Sequence, residues 1–412
     1  MKLISLRISN LGPFFGEQNI QFATKDGAPI NVVVGPNGSG KTTLLTAIGW
    51  ALYGAKYLSR YHQLAANLEA TKRGIHNASV ELTFQHLGRR YLLTRLLNKS
   101  EQVELRSSEA SFSVFDVTDK AVALLVPNAQ DFVGSILPIE LGSLIFADAE
   151  QIPAMRDTND GDLSPIGRAI RSLFGPTLDT NPDVKGEMEG KHYPTEDEIL
   201  KIIEIAVNDW FRAAYGGKYS IDFNNSGNFG VFENGRAVGL GAGSVYVISL
   251  VTHCLSLTTI LELLVQYGYF QDQGTDSFPI VLESPFSRLD ASHKHVALNI
   301  LTKLNQPLIL MLPPQDLESL VECNGLCEKV GGLHALVLHE RAQRNFRVTG
   351  FDFRGVHVPL LVEGSGFQGA EIKTIAICEA TNSVLEGLRQ QVGGTSRNNP
   401  LQMQTGPCQT HE

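Results

Sequence analysis

Gly35-Pro36-Asn37-Gly38-Ser39-Gly40-Lys41-Thr42 fits the pattern G-x-x-x-x-G-K-[ST], and the residues on either side decide the fold class. Ile30–Val34, just before it, is a short apolar, β-branched run of the kind found in a buried parallel strand. Lys41–Tyr53, just after it, has helical periodicity. Strand, glycine-rich loop and helix in that order are the setting the motif requires. At average residue usage a match arises by chance in a chain this long about one or two per cent of the time, and the context lowers that further. Gly35, Gly38 and Gly40 let backbone N–H groups turn inward around phosphates, and the helix N-terminus adds a favourable dipole. Lys41 supplies a cation to the phosphates and Thr42 a hydroxyl to Mg²⁺. Asn37, Ser39 and Thr43 complete the expected nucleotide cradle. The alternative is a plain glycine turn before a helix with a solvent-facing lysine.

A second anchor lies far along the chain. Phe278-Pro279-Ile280-Val281-Leu282-Glu283 is an apolar run ending in a carboxylate, which reads as a buried strand bringing an acid to Mg²⁺. Many strands end in Glu, so this reading leans on the glycine-rich loop. Ahead of the loop, residues 2–9 alternate as a strand, with Leu3, Ile4, Leu6 and Ile8 apolar; Gly12-Pro13 makes a turn and Gln18–Phe22 reads as a second strand. Three or four strands are expected between Ala78 and Val117, from Val80–Phe84, Tyr91–Leu96, Gln102–Leu105 and Ser111–Phe115. Ala129–Leu137 reads as a helix and Leu144–Phe146 as a strand entering a loop. Arg156–Glu198 is rich in Asp, Glu, Gly, Pro and Asn and reads as mostly loop. Ile199–Ala214 is helical, Tyr219–Phe223 and Phe229–Phe232 form a hairpin, and Val245–Val265 is a long, mostly buried helix. Leu308–Leu312 is a buried strand, and Leu333–Leu338 with Phe346–Thr349 forms a closing hairpin.

The chain has 412 residues, 43% of them hydrophobic and 19% charged, an ordinary globular mix that rules out wholesale disorder. Its net charge of −9 does not suggest a coat of nucleic acid, but steering depends on charge distribution, so a local basic groove stays open. Arg7, Arg60, Arg73, Arg89, Arg90 and Arg95 scatter positive charge over the N-terminal half, either to meet phosphates or as a solvated face. Five cysteines make no disulfide framework, and Cys323 and Cys327 lack a second pair to complete a zinc site, so buried or free thiols in a reducing cytoplasm are expected. No secretory signal or uninterrupted apolar span is visible, and no membrane partner is expected. The histidines, among them His253, His334, His339 and His357, show no metal-site spacing; His334 and His339 are expected on or beside a strand. Leu360–Gly364 is similar to the first strand of a Toprim nuclease domain, but the D-x-D strand that would follow is missing, and a plain strand and turn is the other reading.

Taken together, these residues resemble the head of an SMC-like ATPase of the ABC class, and within it the DndD family of DNA-phosphorothioation proteins. Four stretches carry the resemblance: ISNLGPFFGEQNIQF at 8–22, GPNGSGKTTLLTAIGWALYG at 35–54, ILPIELGSLIFADAEQI at 136–152 and VLESPFSRLD at 281–290. They are similar to that family's opening segment, Walker A, Q-loop region, and Walker B with D-loop. The resemblance implies an α/β P-loop fold, a two-lobed head with a mixed β-sheet lobe, a parallel P-loop sheet and a helical lobe. It implies ATP and Mg²⁺ as cofactors, with Thr42, Glu283 and Asp148 as metal-binding residues and Glu283, Ser284 and Asp148 as the catalytic group. It places Asp290 in the D-loop at the nucleotide, and Leu240, Gly241, Gly243 and Ser244 in a signature loop that closes on the ATP of a second copy.

The division implied is a head half at residues 1–155, an acid-rich loop at 156–198 in place of coiled-coil arms, a second head half at 199–349, an accessory extension at 350–392 and a disordered tail at 393–412. Several positions depart from the family pattern. Gly241 stands where the signature serine is expected, Glu283 where Walker B usually ends in Asp, Ser284 where many relatives carry a catalytic Glu, and Asp148 at the Q-loop glutamine position with Glu150 two residues on. Pro313-Pro314-Gln315-Asp316 occupies the place of the switch histidine. The expected function is an ATP-dependent, DNA-associated ATPase that dimerises head to head on ATP and turns over slowly, in a defence or repair complex with a nuclease or other partner protein. The other reading is a nucleotide-gated scaffold that binds ATP and hardly hydrolyses it.

Overall fold

The computed structural model describes residues 1–22, 28–58, 64–98, 110–149, 152, 163–174, 194–238, 243–267, 278–301, 304, 306–317, 329–340, 350–353, 356–363 and 369–375. In chain order the N-terminal half comprises β1 (Lys2–Leu11), β2 (Phe14–Gln21), β3 (Ile30–Val34), α1 (Lys41–Tyr53), α2 (Ala55–Leu58), α3 (Leu68–Lys72), β4 (Asn77–His86), β5 (Arg89–Asn98), β6 (Ser111–Asp116), β7 (Leu124–Leu125), α4 (Ala129–Ile136), α5 (Ile139–Ile145) and β8 (Phe146–Asp148). The rest comprises α6 (Pro165–Phe174), α7 (Glu196–Tyr215), β9 (Tyr219–Phe223), β10 (Phe229–Glu233), β11 (Arg236–Ala237), α8 (Gly243–Gln266), β12 (Ile280–Glu283), α9 (Ala291–Leu301), β13 (Leu308–Leu312), β14 (Val330–Glu340), β15 (Gly350–Phe353), β16 (Val356–Pro359), β17 (Leu361–Glu363) and β18 (Gly369–Ile375).

One large sheet carries the strands in the order β7-β6-β5-β4-β1-β2-β18-β14-β3-β13-β12-β8, with β17 pairing β14 off that path. Its first six strands are an antiparallel meander. The segment β14-β3-β13-β12-β8 is parallel. Strands β3, β12 and β13 are buried at every residue, which is why they read as near-continuous apolar runs rather than alternating ones, interrupted by Asn31 in β3 and closed by Glu283 in β12. Four parallel strands therefore end together at β3, β13, β12 and β8, and the glycine-rich loop leaves from that end.

At the seam between the two halves of the sheet, Gly369–Ile375, part of the stretch read as an accessory extension, is a strand of the main sheet. Strand β18 pairs with β14 along Gly369–Ile375 and touches β2 through Ala370 and Phe14, so this stretch completes the main sheet. The Leu333–Leu338 run lies in β14, between β3 and β18; its expected hairpin partner, Phe346–Thr349, lies outside the described residues. Leu361–Glu363, the Toprim-like strand, pairs in parallel with β14. Leu144 and Ile145 belong to α5, and the strand runs two residues later than expected.

The stretch 156–198 is not all loop. Helix α6 buries Ile166, Ala169, Ile170 and Phe174 on one face, and Ser164 Oγ accepts from the Gly167 N–H at 2.9 Å and donates to Gly227 O at 2.6 Å. Ten helical residues among loop formers are too few to raise a composition signal. Helix α7 starts at a capping box, with Thr195 and Glu198 each accepting from the other's backbone N–H. Helix α8 is long and apolar enough to cross a membrane, but 78% of its apolar window is buried against α5, α6, α7 and α9.

Arg95 explains how α1 is held at its far end. It is buried, its Nε donates to Ala51 O at 3.1 Å, and its guanidinium donates to Gln130 Oε1 at 3.0 Å, while Gln130 Nε2 donates to Leu52 O at 2.9 Å. A cation at a helix C-terminus meets the negative end of the dipole and the last carbonyls. Phe112 lies 4.0 Å beneath it, and burial lowers its pKa to about 10. Arg95 is thus a structural cap and not a phosphate ligand. Arg7, Arg73 and Arg89 pair with Glu17 and Glu81, Glu69 and Asp116 respectively.

Candidate nucleotide site

The glycine-rich loop is shaped by backbone that only glycine adopts easily. Gly38 has φ +82° and Gly40 φ +106°. A Cβ on Gly40 would sit 2.6 Å from the Phe14 ring, and one on Gly35 would sit 2.3 Å from Ser39 Oγ. Phe14, the first residue of β2, therefore forms the wall of the loop, and a Cβ on Gly12 in the turn before it would press on Thr43 at 2.7 Å. Asn67 ties that turn down by donating to Gly12 O at 2.9 Å. The turn within the 8–22 stretch thus packs directly against the loop.

Lys41 is 5% exposed, and its Nζ donates to Gly35 O at 2.8 Å and Pro36 O at 3.0 Å. The ammonium is thus held inside the loop it serves. Thr42 Oγ1 donates to Glu283 Oε1 at 2.5 Å, across 241 residues of chain. The two anchors read from the sequence meet at one point. Glu283 is buried at the end of β12 and lies in register with Asp148 at the end of β8. Asp148 is half-buried, so two carboxylates stand side by side on adjacent strand ends.

Ser284 follows Glu283 with φ +50°, a left-handed conformation that costs a non-glycine residue about 1–2 kcal/mol. Its N–H donates to Met311 O at 2.9 Å, so the turn is held by β13. Asp290 lies at the start of α9 and uses Oδ1 to accept from the His293 N–H at 2.9 Å and from Ser292 Oγ at 2.8 Å, with His293 Nδ1 also at 2.8 Å. These bonds hold its carboxyl well below the usual range. In this chain Asp290 caps a helix, and its reach to a nucleotide is not part of the described contacts.

Leu240 and Gly241 lie outside the described residues, as does Glu150, while Gly243 and Ser244 open α8. Tyr246, one turn into that helix, donates its hydroxyl to Ala149 O at 2.7 Å, and so links the start of α8 to the end of β8. No sequence signal marked that tyrosine. Among the described residues no group of His, Cys, Asp and Glu is arranged to hold a metal by itself. His253 is buried with Nε2 2.8 Å from Leu144 O, and His334 is buried within β14. Cys254 is a buried free thiol that burial pushes up to about 12.

The residues present fit a nucleotide and its magnesium. Ser39 Oγ is fully buried in the loop with no hydrogen-bond partner among the described residues, Lys41 supplies charge, and the Thr42 hydroxyl and Glu283 carboxylate form an oxygen donor set of the kind Mg²⁺ takes.

Residues 5–125 match the family model of an AAA domain, AAA_23. The chain is 37% identical over 113 residues to the DNA double-strand break repair Rad50 ATPase of Methanosarcina mazei, which is 27% of this chain and 9% of that protein. It is 48% identical over 54 residues to the SbcC component of the nuclease SbcCD of Treponema pallidum, which is 13% of this chain and 5% of that protein. The matched stretches thus span a tenth or less of these relatives. Among solved structures, an SMC head bound to the C-winged helix domain of ScpA superposes with a TM-score of 0.52 at 11% identity, over 93% of this chain and all of that one. In strand order and loop geometry, and by these likenesses, the chain resembles the head of an SMC-like ATPase of the ABC class.

Proposed function

We propose that this head binds ATP with Mg²⁺ and closes on a second copy around two ATP molecules, as part of a DNA-associated complex. The observation that carries the reading is the convergence of Lys41, Thr42 and Glu283 at the ends of β3 and β12. Lys41 would contact phosphate, and Thr42 and Glu283 would hold Mg²⁺, which neutralises phosphate charge when bound. Gly243 and Ser244, at the N-terminus of α8, are the proposed contact to the partner copy's ATP. The Rad50 and SbcC names of the relatives support a role in DNA repair with a nuclease partner.

Hydrolysis needs an oriented water and a group to relay its proton. Ser284 is too weak a base at neutral pH, and Asp148, in register with Glu283 on the neighbouring strand, is the acid we propose for that role. Turnover well below the ~10 s⁻¹ median of enzymes follows from that arrangement. The scaffold reading, in which ATP gates assembly and is hardly spent, draws on the same observation at Ser284. Light scattering tests closure: a monomer without nucleotide and a dimer with ATP and Mg²⁺ are expected, with Glu283→Gln prolonging the dimer. A monomer at saturating ATP in both the wild type and the variant would contradict it.

A further inference from the structure

The short helical segment after β13, residues 314–317, contributes one member of an ion pair outside the nucleotide site. Lys294 Nζ donates to Asp316 Oδ1 at 2.7 Å, with the two side chains 15% and 2% exposed. Asp316 is fixed by its own N–H, which donates to Pro313 O at 3.0 Å. Its Oδ2 is buried and accepts no hydrogen bond among the described residues. Lys294 sits one turn into α9, and its N–H donates to Asp290 O at 2.9 Å.

The position of the pair gives it a role. Strand β13 lies between β3 and β12. Its last residues bond to both sides of the site: Leu312 O accepts from Gly35 N–H at 3.0 Å and Met311 O from Ser284 N–H at 2.9 Å. The segment Ser284–Asp290 is therefore fixed at its start by β13. At its end it runs into α9, whose first turn is fixed by Lys294 to the helical segment that follows β13. An exposed ion pair would add almost nothing to such an arrangement. A buried one broken on one side leaves a charge without its partner.

We propose that Lys294 and Asp316 are a positioning pair that clamps the segment Ser284–Asp290 across the nucleotide site, in the place where the sequence lacks a histidine. The proposal rests on the nucleotide reading above. Lys294 and Asp316 act through Ser284 and Asp290; neither touches the reacting atoms.

Asp316→Asn and Lys294→Met are each expected to lower the turnover number about tenfold, with KM for ATP unchanged within about twofold because Lys41 and its loop stay in place. In hydrogen exchange, the amides of Ser284, Ser287 and Leu289, each hydrogen-bonded in the wild-type chain, are expected to exchange faster while those of α1 keep their protection. The double variant Lys294→Met/Asp316→Leu replaces the pair with apolar side chains of similar size. It is expected to recover the melting temperature but not the turnover, a split that a merely structural pair would not give. Turnover recovered together with melting temperature, or single variants with unchanged turnover and exchange, would overturn the proposal. A wild-type chain that binds no ATP would overturn the nucleotide reading instead, and the exchange measurement, which needs no turnover, would still decide the clamp.

Discussion

His253 takes a proton only at the expense of the core around it. Burial lowers its pKa to about 4 against the opposing effect of Leu144 O, and burial lowers that of His334 to about 4 as well, opposed by its bond to the Gln21 backbone. On unfolding, both return to the ordinary value of 6.5. Between about 4 and 6.5 the unfolded chain therefore binds more protons than the folded one, and stability falls as pH falls through that window. At pH 5 the loss is about 2 kcal/mol for each histidine. Urea denaturation at pH 7 and pH 5 checks this, and His253→Gln is expected to flatten the dependence. Equal stability at the two pH values would contradict it. At this scale the positions of Lys41 and Thr42 in the loop were legible from its motif, and that of Glu283 at a buried strand end from the apolar run it closes. Arg95 was not: nothing local separates an arginine that caps a helix from one that meets solvent.

Helix α1 shows the same division among elements. Its periodicity and its place after the glycine loop were readable, but the reason for Gly49 inside it was not. A Cβ there would stand 2.3 Å from the Tyr57 ring, which stacks on Tyr53 at 6.2 Å and meets Phe146 edge-on at 6.4 Å. Gly49→Ala must push that ring out of its place. The expected cost is about 1–3 kcal/mol, seen as a lower melting temperature; an unchanged or raised one would show that Tyr57 moves freely. Helix α6 escaped notice because the acidic and glycine-rich residues around it dominate the composition, while only its buried face carries the signal.

For the whole molecule, the sequence told the class of fold but not the closure of the sheet. Hydrophobic periodicity reports which residues of a strand are buried, not which distant strand lies beside it. Gly369–Ile375 is a modest strand by its sequence, yet it lies between β2 and β14, more than three hundred residues from the first of these. A chain cut after residue 349 would leave β14 and β2 as exposed edges in the middle of the sheet. Such a truncation is expected to aggregate or to lose cooperative melting, as size-exclusion chromatography and circular dichroism would show. A soluble truncated chain that melts like the full one would mean that the seam is dispensable.

The central claim is that the loop around Lys41 holds ATP, and calorimetric titration of ATP with Mg²⁺ into the wild-type chain and Lys41→Ala tests it most directly. Loss of a charge-assisted contact predicts an affinity weaker by about tenfold or more, in a variant that circular dichroism shows to be folded. Equal ATP affinity in a folded Lys41→Ala chain would contradict it.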